Sequence, residues 1–448
     1  MEDKGKTFFP ISLGCPKNLT DSEHLLGRLT VKGWRATDAP EQAELIIVNT
    51  CAFIQSAVEE SIDVILETAR AKKDGAMLVV MGCLPERYKE DLAASLPEVD
   101  LFWGSGGLDL LPDRIEALGR GESPGPLPWP KPGFASAQAG PRLRSAPFFQ
   151  AYLKIAEGCS NACSYCLIPQ LRGPLKSRPL PVLVDEATAL VESGAREIII
   201  VAQDVTAYGR DLRPRRTLPG LLAKLSGIAG LDWLRVMYAY PSGLSDELIE
   251  LMSGESKVLP YLDIPLQHAS PRVLAAMGRR HPDDLPRLLE RLKNKIPGLT
   301  LRTTMMVGFP GETDEDFQQL LDFVREVEFN RLGVFKFSAE EGSKACLLPA
   351  RVPQKIKEVR RRKLMALQRK ISRRANQALL GKILPVLVHG FSEETDLLLA
   401  GRTQGQAPEI DGQVLITKGQ ASAGDIVRVL ITAAHDYDLA GEIVGDGS

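Results

Sequence analysis

The strongest chemical signal in the sequence is a run of three cysteines within one short segment, EGCSNACSYC. Cys159, Cys163 and Cys166 follow the spacing C-x3-C-x2-C. Three thiolates from one loop can hold three irons of a [4Fe–4S] cube and leave the fourth iron open to another molecule. A structural zinc ion is the alternative, but zinc prefers four ligands and no fourth Cys or His lies near enough in the sequence. The spacing therefore predicts an iron–sulfur cluster, and the aromatic Tyr165 inside the run agrees with this.

A second group of cysteines is dispersed, and each member directly follows an apolar, strand-like run. Cys15 ends ISLGC, Cys51 ends IIVNTC and Cys83 ends LVVMGC. The carboxyl ends of adjacent parallel strands line one edge of a sheet, so these thiols can meet there and hold a second cluster. Buried structural thiols are the alternative, because free cysteine is often a core residue. The seventh cysteine, Cys346, has no such partners and is interpreted as a structural free thiol.

The composition indicates a globular protein of several domains. The chain has 448 residues, of which 44% are hydrophobic and 25% charged. We expect a cytoplasmic protein with no membrane partner, because no apolar run reaches the length of a membrane span and the start lacks a signal-peptide core. Seven cysteines, an odd number, argue against a disulfide framework. The formal net charge of −2 provides no general attraction for nucleic acid.

Hydrophobic periodicity divides the chain into the parts that must position these cysteines. Residues 1–118 alternate strand-like runs with amphipathic helices and predict an α/β domain with a parallel sheet. Residues 119–147 are rich in Pro and Gly and predict a linker. Residues 148–380 contain six β/α units, which predict a partial (βα)6 barrel ending in a basic helix. Residues 381–448 carry short strands with Gly-centred turns and predict a small antiparallel β-barrel.

The predicted strands place every cysteine of both groups just after a strand. In the first domain they are Phe8–Gly14, Leu45–Thr50, Met77–Gly82 and Leu101–Gly104. In the partial barrel they are Tyr152–Ala156, Glu197–Ala202, Leu234–Ala239, Tyr261–Pro265, Leu301–Val307 and Leu332–Phe337. In the last domain they are Leu384–His389, Leu397–Gly401, Gln413–Thr417 and Asp425–Thr432.

Together these motifs resemble the methylthiotransferases, a family of radical S-adenosylmethionine (SAM) enzymes with the same order of domains. The resemblance covers essentially the whole chain. It rests on the segments SLGCPKNLTDSE (12–23), NTCAFI (49–54), GCLPERY (82–88), RGPLKSRP (172–179), IPLQHAS (264–270), RTTMMVGFPGET (302–313), SAEEGSKA (338–345), GRTQGQAPEIDG (401–412) and DYDLAGE (436–442). It implies a radical SAM barrel, a TRAM-like C-terminal barrel, two [4Fe–4S] clusters and bound SAM. The details resemble the branch that modifies an aspartate of small-subunit ribosomal protein twelve.

The resemblance also implies roles for the two groups of cysteines. The cluster in the cysteine-rich loop would generate a radical from SAM, which takes a hydrogen from the β-carbon of the target aspartate. The cluster of the dispersed cysteines would carry the sulfur, methylated by a second SAM. The implied partners are the ribosomal protein, free or on the ribosome, and an electron donor such as flavodoxin or ferredoxin.

Five residues are candidate contacts for SAM or substrate: Tyr165, Gly194, Gln203, Gln267 and Arg302. Gly194 matches a family segment near the SAM amino group, although ordinary capping of a helix explains a glycine there equally well. Gln203, Gln267 and Arg302 lie at or near strand ends that face the expected mouth of the barrel. Internal hydrogen bonding is the alternative role for these three.

Two charged regions bear on the substrate. The basic helix, from about Gln354 to Leu380, has ten bases and one acid, a net +9. It indicates either a solvated face or a contact with ribosomal RNA. From Ile383 to Ser448 there are ten acids and three bases, a net −7. Such a barrel should attract a basic protein and repel RNA.

Two competing functions remain. One is methylthiolation of a tRNA adenosine. The acidic barrel and the Pro16-Lys17 pair argue against it. The other is a non-catalytic iron–sulfur module that binds ribosomes or RNA, which a fourth ligand near the cysteine-rich loop would favour; the sequence shows none. One departure from the family pattern is Gln406, where an acidic residue is common, and we expect this position to bear on substrate docking.

Overall fold

The computed structural model describes residues 6–122, 129–130, 140–145, 147–279, 282 and 284–445. Most of the predicted 119–147 linker lies outside these ranges. The first sheet contains β1 (Thr7–Ser12), β2 (Arg35–Ala36), β3 (Leu45–Thr50), β4 (Met77–Gly82) and β5 (Leu101–Trp103). The helices that accompany it are α1 (Pro16–Val31), α2 (Gln55–Ala71), α3 (Cys83–Ser95) and α4 (Leu111–Gly119).

The order of strands in this sheet explains why the dispersed cysteines can meet. The order is β2-β1-β3-β4-β5, and every neighbouring pair is parallel. Strand β3 is buried throughout and β4 nearly so, because helices cover both faces, and the two strands accordingly read as almost continuous apolar runs. Both have the predicted bounds. Since β1, β3 and β4 are direct neighbours, the loops that follow them lie side by side.

The central part contains a second parallel sheet. Its strands are β6 (Gln150–Lys154), β9 (Glu197–Val201), β10 (Trp233–Val236), β11 (Val258–Asp263), β12 (Thr300–Val307) and β13 (Arg331–Lys336), with a small hairpin of β7 (Ala156–Glu157) and β8 (Lys176–Ser177). The helices are α5 (Ile168–Leu171), α6 (Leu180–Glu192), α7 (Leu218–Ser226), α8 (Asp246–Gly254), α9 (Pro271–Ala276), α10 (Leu285–Lys295), α11 (Asp314–Val327) and α12 (Gln354–Gln377). The order β13-β12-β11-β10-β9-β6 is that of a partial barrel. No helix in the described ranges combines the length and apolar character that crossing a membrane requires.

The C-terminal part is a closed five-stranded barrel in the order β14-β15-β16-β18-β17. Its strands are β14 (Ile383–Ser392), β15 (Thr395–Thr403), β16 (Val414–Lys418), β17 (Ile426–Ala434) and β18 (Leu439–Ile443). The prediction of a purely antiparallel barrel needs one correction, because β16 and β18 pair in parallel. The fifth strand, β18, was not predicted; it is short, and it closes the barrel by pairing with both β16 and β17.

Buried ion pairs join the N-terminal and central parts. Arg172 donates to Asp21 of α1 at 2.6 Å, and Lys154 at the end of β6 contacts both Asp21 and Glu157, the latter at 2.7 Å. All four side chains are at least nine-tenths buried. Removing one member of such a network leaves its partner as a buried charge without a counter-ion, which lowers the stability of the fold by roughly 3–5 kcal/mol.

The C-terminal barrel meets the central sheet through the β15–β16 loop (residues 404–413). Arg235 of β10 donates to the carbonyl oxygen of Gln404 at 2.8 Å, and the Tyr261 hydroxyl of β11 donates to Asp411 at 2.7 Å. Next to this loop, Arg402 contacts Glu197 of β9. The loop therefore reaches into the interior face of the partial barrel.

Candidate functional site

All six cysteines of the two predicted groups line one cavity of about 390 Å³. It lies where the carboxyl ends of β1, β3 and β4 face those of the central strands. Loops that follow β9, β10 and β11 complete its wall, with residues such as Gln203, Tyr238 and Pro265. Two groups that belong to different sheets and different stretches of the sequence therefore share one volume.

The dispersed cysteines occupy equivalent places at the ends of three adjacent strands. Cys15 is the N-cap of α1, Cys83 is the first residue of α3, and Cys51 follows β3 directly. The amino terminus of a helix carries partial positive charge, which favours a thiolate or an anionic group bound there. The predicted convergence at the sheet edge is therefore present, and two of the three thiols stand at helix starts.

Glycines immediately before three of the cysteines allow the loops to come this close. Gly14 has φ +90°, and a Cβ there would lie 2.7 Å from the Cβ of Cys51. Gly82 has φ +101°, and its Cβ would lie 2.3 Å from Asn49 Oδ1. Gly158 has φ +68°, and its Cβ would meet backbone oxygens of residues 172–174 at 2.3–2.8 Å. Positive φ and these close approaches both require glycine.

Two buried polar residues tie the cysteine loops together. Asn18 donates to the carbonyl oxygens of Leu13 and Thr50, both at 3.0 Å, and so joins the loops that hold Cys15 and Cys51. Its side-chain oxygen accepts from Arg172, the residue already paired with acids of both domains. The frame around the dispersed cysteines is thus continuous with the buried junction between domains.

The cysteine-rich loop, which follows β7, is held by backbone and side-chain contacts within the central part. The Ser164 N–H donates to the carbonyl oxygen of Met277 at 2.8 Å, and the Cys159 N–H to that of Gly173 at 3.0 Å. Arg279 donates to the Tyr165 hydroxyl at 3.1 Å and approaches Cys163 Sγ at 3.7 Å. A buried guanidinium therefore lies beside this group of thiols as well.

Burial raises the pKa of several thiols in the cavity. It raises the pKa of Cys51 to about 11 and that of Cys166 to about 12. Cys15 differs: burial alone would raise its pKa, but the cations of Lys17 and Arg172 bring it below the ordinary value. Cysteine must be deprotonated to bind a metal, so loading a cluster at most of these positions releases protons.

Three of the five candidate contacts for SAM or substrate line the cavity: Tyr165, Gln203 and Gln267. Gln203 donates from Nε2 to Glu157 at 3.1 Å, while its buried Oε1 has no hydrogen-bond partner among the described residues. Gln267 has φ +74°, a strained conformation for a residue other than glycine, and it is held by backbone hydrogen bonds to Thr304 and Met306.

The other two candidates lie elsewhere. Gly194 precedes β9, at the opposite end of that strand from the cysteines, and its N–H caps α6 by donating to Val191. Arg302 lies deeper in the partial barrel, where it pairs with Asp263 at 2.8 Å and approaches Asp411. The structure does not bring either residue to the cavity, so the alternatives of helix capping and internal hydrogen bonding describe them.

Several residues at the site were not singled out from the sequence. Arg172, Arg279 and Tyr238 line the cavity, and Lys17, noticed only as part of a residue pair, lies there with its ammonium 3.7 Å from the Tyr238 ring centroid. The expectation for Gln406 is corrected, because it is fully buried and accepts from Thr403 within a turn. It therefore stabilises the β15–β16 loop and does not face a docking partner.

The arrangement fits iron–sulfur clusters. All seven cysteines are free thiols. Among the described residues, no three His, Cys, Asp or Glu side chains converge as ligands of a single metal ion do. The thiolates of a [4Fe–4S] site need not converge so closely, because each binds a different iron of the cube. Two sets of three thiols that open into one cavity could therefore each hold one cube, and the unpartnered Gln203 oxygen is available to a small ligand.

Three family descriptions match successive parts of the chain. Residues 7–104 match the uncharacterized protein family UPF0004, residues 153–324 the radical SAM superfamily, and residues 380–444 the TRAM domain. The first two matches contain the dispersed cysteines and the cysteine-rich loop, respectively. Both groups of thiols thus lie within parts of the chain that known families share.

Solved structures share the fold at low sequence identity. The radical SAM methyltransferase TsrM from Kitasatospora setae, with cobalamin and a [4Fe–4S] cluster bound, has a TM-score of 0.57 at 15% identity, over 74% of this chain and 75% of that one. The cobalamin-dependent SAM radical enzyme OxsB has a TM-score of 0.50 at 11% identity, over 82% and 56%. These similarities concern the fold alone.

Much more similar relatives carry one name, ribosomal protein uS12 methylthiotransferase RimO. The protein from Syntrophotalea carbinolica is 51% identical over 97% of this chain and 96% of its own length. The protein from Geobacter sulfurreducens is 50% identical over 97% and 98%, and that from Myxococcus xanthus 48% over 98% and 92%. Such identity over nearly the full length shows that the chain belongs to the RimO family of radical SAM methylthiotransferases.

Proposed function

We propose that the protein attaches a methylthio group to the β-carbon of an aspartate in small-subunit ribosomal protein twelve. The observation that carries this is the shared cavity, in which thiols from two domains open into the same volume. An enzyme that removes a hydrogen with one cluster and supplies sulfur from another needs both to reach the same carbon. The relatives named as uS12 methylthiotransferases support the choice of substrate.

Each group of thiols would hold one [4Fe–4S] cluster: Cys159, Cys163 and Cys166 in the central part, and Cys15, Cys51 and Cys83 in the N-terminal part. When bound, the clusters and SAM supply the radical that removes the hydrogen and the sulfur and methyl group that replace it. Arg172 and Arg279 place a positive charge beside each group and so favour thiolates there.

Residues that line the cavity would position SAM and the substrate. The free oxygen of Gln203 is an acceptor suited to an ammonium group such as that of SAM. Tyr165 and Gln267 form the wall between this cavity and a larger chamber beside it, so they would contact whichever molecule passes between the two. These three residues would therefore contact SAM or the substrate.

Helix α12 would contact ribosomal RNA when the substrate is on the ribosome. Arg362, Lys363, Lys370 and Arg373 are exposed on it. In contrast, Arg360 is buried and pairs with Glu312 at 2.7 Å, so it belongs to the fold. A flavodoxin or ferredoxin would supply electrons, and action on a ribosomal protein implies a cytoplasmic enzyme.

A salt series with two possible substrates tests the proposed substrate. Glu393, Glu394 and Asp396 are exposed in and beside the turn between β14 and β15. Reversing them to Lys should slow association of the full-length protein with isolated ribosomal protein twelve, most at low salt, because the acidic barrel attracts a basic partner. The difference should largely vanish near 1 M salt, where the Debye length is about 3 Å.

The same experiment includes a control and an outcome that would contradict the proposed substrate. Cleavage of SAM without substrate should be equal in both forms, since the altered acids lie in the C-terminal barrel, away from the thiol cavity. Tight binding of the unaltered protein to tRNA, with none to the ribosomal protein, would overturn the substrate and favour methylthiolation of a tRNA adenosine.

A further inference from the structure

A second, larger chamber of about 900 Å³ adjoins the thiol cavity. The two share four lining residues: Phe53, Tyr165, Gln267 and Thr304. The outer chamber is bounded by the loop after β3, the end of β13 and the first turns of α12. Since its inner wall is also a wall of the thiol cavity, a side chain that enters this outer chamber can approach the thiol cavity across that wall.

The outer chamber is positively charged. Lys336, Lys357 and Arg361 line it, and Glu340 is its one acidic lining residue among those described. Glu340 is already engaged, because it accepts from Arg87 at 3.1 Å and from the Gln55 N–H at 2.9 Å. The carboxylate in this wall is therefore neutralised by its own neighbours.

Two of the three cations are also neutralised. Lys336 pairs with Glu358 of α12 at 2.8 Å, and Arg361 pairs with the same carboxylate at 3.4 Å. Lys357 differs, since its ammonium donates to the carbonyl oxygen of Phe337 at 2.7 Å and has no carboxylate within ion-pair distance in the described structure. An ammonium has three protons to donate, so Lys357 retains capacity for a further acceptor.

The position of Lys357 is built into the fold. Its stem crosses Gly308, where a Cβ would lie 2.3 Å from Lys357 Cγ, and its ammonium lies 5.2 Å from the centroid of the Phe337 ring. Partial burial lowers the pKa of this lysine. The nearby Glu312 attracts this lysine but already pairs with Arg360 at 2.7 Å. A half-buried cation with no carboxylate of its own within ion-pair distance is costly, and an incoming carboxylate would offset that cost.

We propose that the outer chamber receives the substrate polypeptide and that Lys357 binds the carboxylate of the target aspartate. The inference rests on the proposed function. It fits the substrate chemically, because the reacting β-carbon of aspartate is bonded directly to its carboxylate, so a residue that holds the carboxylate also positions that carbon. The apolar walls around the cation, from Ile54, Met306, Val334 and Phe337, suit the flanks of a polypeptide loop better than a phosphate backbone.

The test is a double-mutant cycle between enzyme and substrate, read as binding to the full-length protein. The enzyme variant is Lys357→Met, which keeps most of the stem over Gly308 but removes the charge. The substrate variant is ribosomal protein twelve with its target aspartate changed to Asn. We expect Lys357→Met to weaken binding of the normal substrate roughly tenfold to a hundredfold, the range for a hydrogen bond to a charged group. Binding of the Asn form should hardly change.

Matched variants guard against a general effect of the substitution. Lys295→Met removes an exposed lysine from α10, away from both cavities, and should leave binding of either substrate unchanged. Lys357→Arg keeps the charge and should preserve a preference for the aspartate form. Equal loss of binding for both substrate forms in Lys357→Met would overturn the proposal and assign Lys357 a role in folding.

The outcomes also separate this inference from the proposed function. If the unaltered protein does not bind ribosomal protein twelve at all, the proposed substrate fails. If it binds but the cycle shows no coupling, only the role of Lys357 fails. If tRNA binding depends on Lys357 and protein binding does not, the chamber recognises a phosphate instead of a carboxylate.

Discussion

The two groups of thiols reach the same cavity by opposite means. The N-terminal group is assembled from three loops far apart in the sequence, and its frame of Asn18 and Arg172 is buried between domains. The central group comes from a single loop, whose polar residues are mostly half-buried. The first group therefore exists only because tertiary structure brings three loops together. The second group is contiguous in the sequence, and tertiary contacts from Gly173, Met277 and Arg279 hold its loop in place.

The two regions should also differ in how far the effect of a substitution spreads. A change in the cysteine-rich loop should remove its cluster and leave the N-terminal sheet intact. A change in the frame of the dispersed cysteines should disturb three strand ends and the domain junction together. Four sets of variants test this contrast.

Changing Cys159, Cys163 and Cys166 together to Ala should abolish formation of 5′-deoxyadenosine from SAM, because these thiols would hold the cluster that cleaves it. Iron after anaerobic reconstitution should fall from about eight to about four per chain. Cys346→Ala is the control, since this thiol lies outside the cavity and should change neither value. SAM cleavage that persists in the triple variant would remove the radical site from this loop.

Changing Cys15, Cys51 and Cys83 together to Ala should abolish methylthiolated product while SAM cleavage continues. The reason is that the ligands of the central cluster are untouched. Iron should again fall to about four per chain. Mass spectrometry of ribosomal protein twelve after turnover is the measurement, and methylthiolated protein from this variant would contradict a sulfur-carrying role for the N-terminal group.

Gly82→Ala should lose most of the iron of one cluster, because the added Cβ would overlap Asn49 and Thr50 and displace the loop of Cys83. Gly33→Ala is the matched control: it has a similar φ of +86° but nothing within 4 Å of its Cβ. Both substitutions should cost about 1–3 kcal/mol of backbone strain in urea unfolding. Equal iron in the two variants would show that the close approach at Gly82 is not needed.

Asn18→Ala should lower the free energy of unfolding by roughly 2–3 kcal/mol, since it removes hydrogen bonds to two cysteine loops and to Arg172 at about 1 kcal/mol each. Asn161→Ala, in the cysteine-rich loop, removes one half-buried bond to Asp204 and should cost about 1 kcal/mol or less. Denaturant unfolding of both variants gives the comparison. Equal losses of unfolding free energy would mean that the hydrogen bonds around the two groups of cysteines contribute equally to the stability of the fold.

The place of the dispersed cysteines in the fold could be predicted from the sequence. Each of them follows a strand, and strands are marked by apolar runs. Leu45–Thr50 and Met77–Gly82 have the predicted bounds. Parallel pairing of successive strands then brings their carboxyl ends together without further information. The roles of these cysteines as ligands stay a prediction, as do the domain boundaries.

What could not be predicted depends on packing between distant segments. Arg279 is unmarked in the sequence and Arg172 appears there only as the first residue of the segment RGPLKSRP, and only the fold places both beside thiols. Arg302 was expected at the barrel mouth because it lies in a strand of the central sheet, but it sits near the start of β12 and so deeper in the interior. Gly194 follows a helix instead of a strand, which puts it at the opposite end of the sheet.

The contacts of the β15–β16 loop determine whether the C-terminal barrel can be separated from the rest of the chain. TRAM domains look like detachable units, yet in this chain the loop supplies Gln404 and Asp411 as partners to Arg235 and Tyr261 inside the central barrel. Glu197, which Arg235 and Arg402 share, is fully buried. Removing or exchanging the C-terminal barrel would therefore leave charged groups buried without partners in the core of the partial barrel. In this chain the C-terminal barrel can be exchanged only together with the interior surface of the partial barrel that it completes.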